Sequence, residues 1–197
     1  MAKIGIFSGS FDPVHAGHVA FAEAALARAN LDRIYFAPEI QPRRKGAITH
    51  IAHRLAMLRL ALEDYSGLSV LEMPDKNFSV AKTLPRLKKR FAHDQLYFVC
   101  GSDMLEHMPQ WLLVEQLLND FGLVVGVRGN VGDSYMTELL GVLPKTPKDV
   151  CIVKSPESTL SSSAIRNQIE NNQKPQGIDP NVQTYIDKNW LYHMVPR

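Results

Sequence analysis

GSFDPVHAGH, residues 9–18, joins two stretches of opposite periodicity. Before it, KIGIFS (3–8) is a short, near-continuously apolar run. After it, VAFAEAALARA (19–29) is alanine-rich, with Val19, Ala22, Leu26 and Ala29 at helical spacing. The join reads as a strand handing over to a helix. Gly9 at the strand end lets the backbone approach a ligand closely. Asp12-Pro13 is turn chemistry, and His15-Ala16-Gly17-His18 falls at the first helical turn. A helix N-terminus offers unpaired N–H groups and a positive dipole end, which suits an anion. Two imidazoles there would aim N–H donors at that anion, and a phosphoryl group changing charge needs fixed donors more than a strong base. The spacing alone is a weak signal. His50 and His53 repeat it, and His-x-x-His is also half of a metal site. No local Cys or carboxylate cluster completes such a site, so no protein-bound metal is expected.

The same alternation runs along the chain. Candidate strands are 3–8, 33–38, 68–73, 95–100, 122–127 and 149–154, each with a nearly unbroken apolar core. Such strands are covered on both faces, as in a parallel sheet between helices. Helices are expected over 17–30, 51–65, 79–91, 110–119, 133–141, 161–171 and 181–189. In 51–65 the stripe is Ile51, Leu55, Leu58 and Leu62, with Arg54 and Arg59 off it. The βαβαβ order predicts an α/β fold, a doubly wound parallel sheet with helices on both faces. Ligands of such sheets sit at the carboxyl ends of the strands, near a topological switch point. Residues 38–50 and 128–133 read as loops. Residues 1–197 are expected to form one domain, with a C-terminal helical part from about 160 to 197 packed on it.

Composition bounds the partners. A net charge of +2 gives no push toward bulk nucleic acid or membrane, so any polyanion site must be local. Neither a signal peptide nor a membrane span is expected, which makes the cytoplasm the default setting. Cys100 and Cys151 lie in apolar runs outside any CxxC pair and read as buried free thiols.

GSFDPVHAGH resembles the signature of the HxGH nucleotidyltransferases, which share a Rossmann-like fold. Leu160-Ser161-Ser162-Ser163-Ala164-Ile165-Arg166 resembles that family's ISSTxxR element; taken alone it is a capped helix start. Further segments are similar to the nicotinic acid mononucleotide adenylyltransferases: QPRRK (41–45) to their basic loop, Arg54 to Leu58 to their RxxML helix, and Gly101-Ser102-Asp103 to their G-x-D. Trp111 lies where that family stacks a tryptophan near the pyridine ring. Read without the family, 43–45 is also a solvated loop, Asp103 a helix cap and Trp111 a core residue.

The resemblance implies adenylyl transfer from ATP to nicotinic acid mononucleotide, giving deamido-NAD and pyrophosphate. Mg²⁺ would accompany ATP. His15, His18, Arg44 and Arg166 are the implied catalytic residues. Gly9, Ser10, Phe11, Gly101, Asp103, Ser161 and Ser162 would join His15, His18 and Arg166 around ATP. Ser10, Arg43, Arg44, Lys45, Ser79, Val80 and Trp111 would meet the mononucleotide. One segment departs from the pattern. Where the family carries S-Y-T-x-x-T-L, this chain has Phe78-Ser79-Val80-Ala81-Lys82-Thr83-Leu84. Ser79 and Val80 replace a tyrosine and a threonine, so backbone N–H groups are expected to supply the donors. Acid against amide preference stays open, and with it two other readings: a sister transferase using nicotinamide mononucleotide or another phosphorylated acceptor, and a non-catalytic nucleotide-binding module. The partners implied are small molecules, not nucleic acid or membrane. A homo-oligomer is left open.

Overall fold

The computed structural model describes residues 1–43, 46–127, 133–154 and 160–193. Six strands form one parallel sheet: β1 (Lys3–Gly9), β2 (Arg33–Pro38), β3 (Leu68–Val70), β4 (Gln95–Gly101), β5 (Gly122–Val127) and β6 (Val150–Lys154). Their order is β3-β2-β1-β4-β5-β6. The chain moves outward from β1 to β3, then returns to place β4 on the other side of β1. The switch point therefore lies between the ends of β1 and β4, where a doubly wound sheet opens a crevice.

Side chains alternate across the sheet because strand residues point to opposite faces. Leu96, Phe98 and Cys100 of β4 join one core; Tyr97 and Val99 join the other. The first core is covered by α3 (Val80–Arg90), α4 (Ser102–His107), α5 (Val114–Asp120) and α6 (Asp133–Gly141). The second is covered by α1 (Ala16–Arg28), α2 (Ile51–Ala61), α7 (Ser162–Glu170) and α8 (Pro180–Lys188). Helices thus lie on both faces, as the apolar strand runs predict. Ile165 and Ile169 of α7 and Val182 and Ile186 of α8 are buried in the same core as α1 and α2, so the C-terminal helices are part of the layer.

Several expectations are corrected. β3 stops at Val70, short of Met73 and ahead of Pro74, which has no N–H to offer a ladder. The helix expected over 110–119 begins only at Val114, because Leu113 has φ 61° and breaks the run. The preceding residues form α4 and a 3-10 turn (Met108–Gln110) that the periodicity reading did not anticipate. Arg54, placed off the stripe of α2, is fully buried, whereas Ile51 and Leu55 are half-buried. Cys100 is buried as expected, but Cys151 on the edge strand is partly exposed. The basic run of α3 is solvated: Arg86, Lys88, Lys89 and Arg90 are exposed, and Lys88 pairs with Asp120 at 2.8 Å. Among the described residues no helix is long and apolar enough to cross a membrane.

Candidate active site

The turn after β1 carries the site. Ser8 is buried at the strand end and donates its hydroxyl to Glu39 Oε1 at 3.1 Å. Phe11 has φ 47° and is buried against Phe7 and Phe36. His15 is the N-cap of α1, in extended conformation, and His18 is the third residue of the helix. The backbone N–H of His15 donates to His18 Nδ1 at 3.2 Å. That bond makes Nδ1 the acceptor and sets the tautomer with the proton on Nε2. The two rings stack, with centroids 3.7 Å apart, and the Phe11 ring packs edge to face on His18 with centroids 5.1 Å apart. The histidines are therefore parts of a cap whose orientation packing fixes.

Residues 160–166 reach the same turn from the far end of the chain. Ser161 caps α7, its hydroxyl accepting from Ala164 N–H at 3.2 Å. Ser162 Oγ donates to the Pro13 carbonyl at 2.9 Å, and Arg166 Nη1 to the Asp12 carbonyl at 2.7 Å. Arg166 Nη2 also donates to Ser163 Oγ at 3.4 Å. A guanidinium has five N–H donors, and these bonds use two. The N-termini of α1 and α7 consequently border one cleft of about 390 Å³, lined by both histidines, Ser161, Ser162 and Ser163, and floored by Gly9, Ser10 and Phe11. Two positive dipole ends and two imidazoles around a hydroxylated rim make a polyphosphate-shaped environment.

Across the switch point Gly101 ends β4 and caps α4. A side chain there would run into the Asp103 carboxylate, so glycine lets Asp103 fold back over the helix start. Asp103 is exposed and lies on the second residue of α4 rather than at its cap, which is Gly101. Asp103, Met104, Gly9 and Ser10 border both the first cleft and a second of about 580 Å³. The second cleft has an aromatic wall. Trp111 stands 6.0 Å from Phe78 and 5.9 Å, edge to face, from Phe98. Arg43 lines it, donating from Nε and Nη2 to Asn77 Oδ1 and from Nη2 to the Phe78 carbonyl.

Of the residues named from sequence, Gly9, Ser10, Phe11, His15, His18, Gly101, Asp103, Ser161 and Ser162 border the first cleft, and Ser10, Arg43 and Trp111 the second. Arg166 is bonded to the turn beneath the first. Arg44 and Lys45 lie outside the described residues. Ser79 and Val80 border neither cleft: Val80 is buried in the core beside Leu84 and Leu87, and the Ser79 N–H already donates to Thr83 Oγ1 at 3.0 Å. Sequence reading missed Glu39, Met104, His107 and Gln110, which line the second cleft. The spacing of 103, 104, 107, 110 and 111 is helical and was the available signal. Among the described residues no group of three His, Cys, Asp or Glu is placed to hold a metal ion.

The site and the sheet order define a nucleotidyltransferase-type crevice. The chain belongs to the cytidylyltransferase-like family, whose model matches residues 6–168. Among curated relatives, the nicotinate-nucleotide adenylyltransferase of Bacillus subtilis is 34% identical over 198 residues, covering 98% of this chain and 99% of that protein. The probable nicotinate-nucleotide adenylyltransferase of Carboxydothermus hydrogenoformans is 35% identical over 197 residues, covering 97% and 98%. The fold is like that of Plasmodium falciparum nicotinic acid mononucleotide adenylyltransferase complexed with NaAD, with a TM-score of 0.79, 20% identity and 98% of each chain covered.

Proposed function

We propose that the chain transfers the adenylyl group of ATP to nicotinic acid mononucleotide, forming deamido-NAD and pyrophosphate in NAD biosynthesis, in a cytoplasmic setting. The observation that carries this is the pair of clefts meeting at Gly9, Ser10 and Asp103: one bordered by two histidines and two helix N-termini, the other walled by Trp111, Phe78 and Phe98. The first suits a triphosphate and the second a flat ring with a ribose. A 5′-phosphate oxygen of the mononucleotide attacks the α-phosphorus of MgATP. The new P–O bond forms as the bond from the α-phosphorus to the bridging oxygen breaks, and pyrophosphate leaves with that electron pair.

The attacking phosphate is already ionised at neutral pH, so holding two anions in line is the main task. His18 Nε2–H and His15 donate to phosphate oxygens. Ser161, Ser162 and Arg166 hold the far phosphates. Asp103 takes ribose hydroxyls, Trp111 stacks on the pyridine ring, and Arg43 meets the mononucleotide, a part the family resemblance also gives to Arg44 and Lys45. The amide mononucleotide is the second reading, favoured by the engaged Ser79 N–H and the burial of Val80.

Coupled pyrophosphate release with MgATP and each mononucleotide tests both. The acid should be preferred by about tenfold or more, as one well-placed charge contact can supply about 1.4 kcal/mol. Equal or reversed preference would install the amide reading, and silence with both would remove the pyridine nucleotide. His18→Ala should lower kcat by about 100-fold or more while KM changes little, because the lost donor acts mainly on the transition state. If both constants stay near wild type, His18 has no catalytic part.

A further inference from the structure

Three segments remote in sequence are tied to the Asp12-Pro13 turn. Ser162 and Arg166 donate to its two carbonyls. The second segment, after α7, is the C-terminal tail: Tyr192 donates its hydroxyl to Asp12 Oδ1 at 2.6 Å. The other carboxylate oxygen, Oδ2, accepts from the Thr49 N–H at 3.3 Å. Asp12 itself is 4% exposed. Its carboxylate is therefore largely withdrawn from bulk water and accepts from these two donors, with the charge of Arg54 close by. A short hydrogen bond from a hydroxyl to an ionised acceptor in such a place is roughly twice as strong as a neutral one.

The tail is held in an unusual path. Tyr192 has φ 65° and Trp190 φ 53°, a left-handed region that bulky residues occupy only when surrounding contacts hold them there. Leu191 and Tyr192 both pack on the core shared by α1, α2, α7 and α8. The tail is thus pinned at one end by packing and at the other by the bond to Asp12.

His15 follows Asp12 by only three residues, so a shift of the Asp12 carboxylate moves the turn that carries it. The same turn holds Ser162 and Arg166 through its carbonyls. In-line transfer tolerates little displacement, since about 1 Å can cost about 100-fold.

We propose that Tyr192 is a positioning residue for adenylyl transfer: its hydroxyl fixes the Asp12 carboxylate, and through the Asp12-Pro13 turn it sets the spacing between His15 on one side and Ser162 and Arg166 on the other. Tyr192 borders neither cleft. The role rests on the adenylyltransferase reading above.

The test compares wild type, Tyr192→Phe, Asp12→Asn, the double variant and Trp190→Ala. Phenylalanine keeps the ring and its packing and deletes only the hydroxyl. Trp190 is 60% exposed and stacks on His193, so its truncation changes a tail side chain that takes no part in the Asp12 bond. Pyrophosphate release is measured with kcat and KM separated, alongside calorimetric titration with a non-hydrolysable ATP analogue and Mg²⁺. Tyr192→Phe should lower kcat about tenfold, leave KM for the mononucleotide within about twofold, and weaken analogue binding about threefold. The double variant should be no worse than Asp12→Asn, because the two side chains act through one bond. Trp190→Ala should stay within about twofold of wild type in kcat.

A Tyr192→Phe protein indistinguishable from wild type in both measurements overturns the proposal. So does an additive loss in the double variant, or an equal loss in Trp190→Ala. If Asp12→Asn does not fold, the contrast between Tyr192→Phe and Trp190→Ala decides. If wild type releases no pyrophosphate, the functional reading fails separately, and the analogue titration of the same proteins still judges the role of Tyr192.

Discussion

Arg54 illustrates how one side chain can organise two loops. Its Nη1 donates to the Ser10 carbonyl at 2.7 Å, its Nε to Thr49 at 2.8 Å and its Nη2 to Ile40 at 3.0 Å. Burial pushes its pKa below the ordinary arginine value, while the nearby Asp12, Tyr192 and Glu39 act in the opposite direction. The guanidinium stays charged and is satisfied almost entirely by backbone carbonyls of the segments leaving β1 and β2 and entering α2. Replacing Arg54 with methionine should destabilise the fold by about 3–5 kcal/mol, since the three carbonyls lose their donor in a dry site. The midpoint of urea unfolding reads this directly; a change under about 1 kcal/mol would mean that water replaces the guanidinium. Helical spacing placed Arg54 off the apolar stripe, where a charge ordinarily meets solvent. Its burial comes from loops folding over that face of α2, which nothing in the local pattern of 51–65 reveals. His15 and His18 were legible, by contrast, because their cap forms from residues within one helical turn.

Most helix starts were readable because capping is local, whereas α2 ends at Ala61, four residues short of the expected 65. Asp179 caps α8, its Oδ1 accepting from Asn181 N–H at 2.8 Å and Val182 N–H at 3.3 Å, with Pro180 at the first helical position. Asp179→Ala should cost about 1 kcal/mol. For a chain of this size that is a fall of about 2–4 °C in Tm, detectable because Val182 and Ile186 of α8 are buried in the core beneath it. An unchanged melting curve would show that α8 frays independently of the core. The 102–120 segment was read less well. Its helical spacing is real, but Leu113 in the left-handed region and the extended backbone of Trp111 split it in two. Trp111 lines the second cleft, where it meets Phe78 and Phe98.

The sheet buries groups that titrate only under alkaline conditions. Burial pushes the Cys100 thiol from 9.0 up to about 12, with the charge of Asp103 adding to the shift. Burial, then the hydrogen bond to Asp149, pushes Tyr97 from 10.0 up to about 12. In the unfolded chain both groups release their protons near the ordinary values, whereas the folded chain retains them. Above pH 9 the unfolded state therefore binds fewer protons, and stability falls as pH rises. The contribution is complete below about pH 9 and lost progressively toward pH 12. Thermal melting from pH 7 to 12 should show this decline, and Cys100→Ala should flatten its first part. A Tm that is constant across the range would mean that neither group stays protonated in the folded chain.

Apolar runs, turn residues and caps act over a few positions, so they were enough to specify parallel strands between helices, the strand–turn–helix at 3–29 and the capped start of α7. Other features depend on segments that meet only after the sheet has formed. The Ser162–Pro13 and Tyr192–Asp12 bonds close separations of 149 and 180 residues. The return of β4 to the far side of β1 brings Asp103 beside Gly9 and Ser10, and loop packing buries Arg54. No local pattern encodes these pairings, because each partner alone is an ordinary turn, cap or surface residue. Strand order and close packing of the two cores select them, and with them the crevice in which the two substrates would meet.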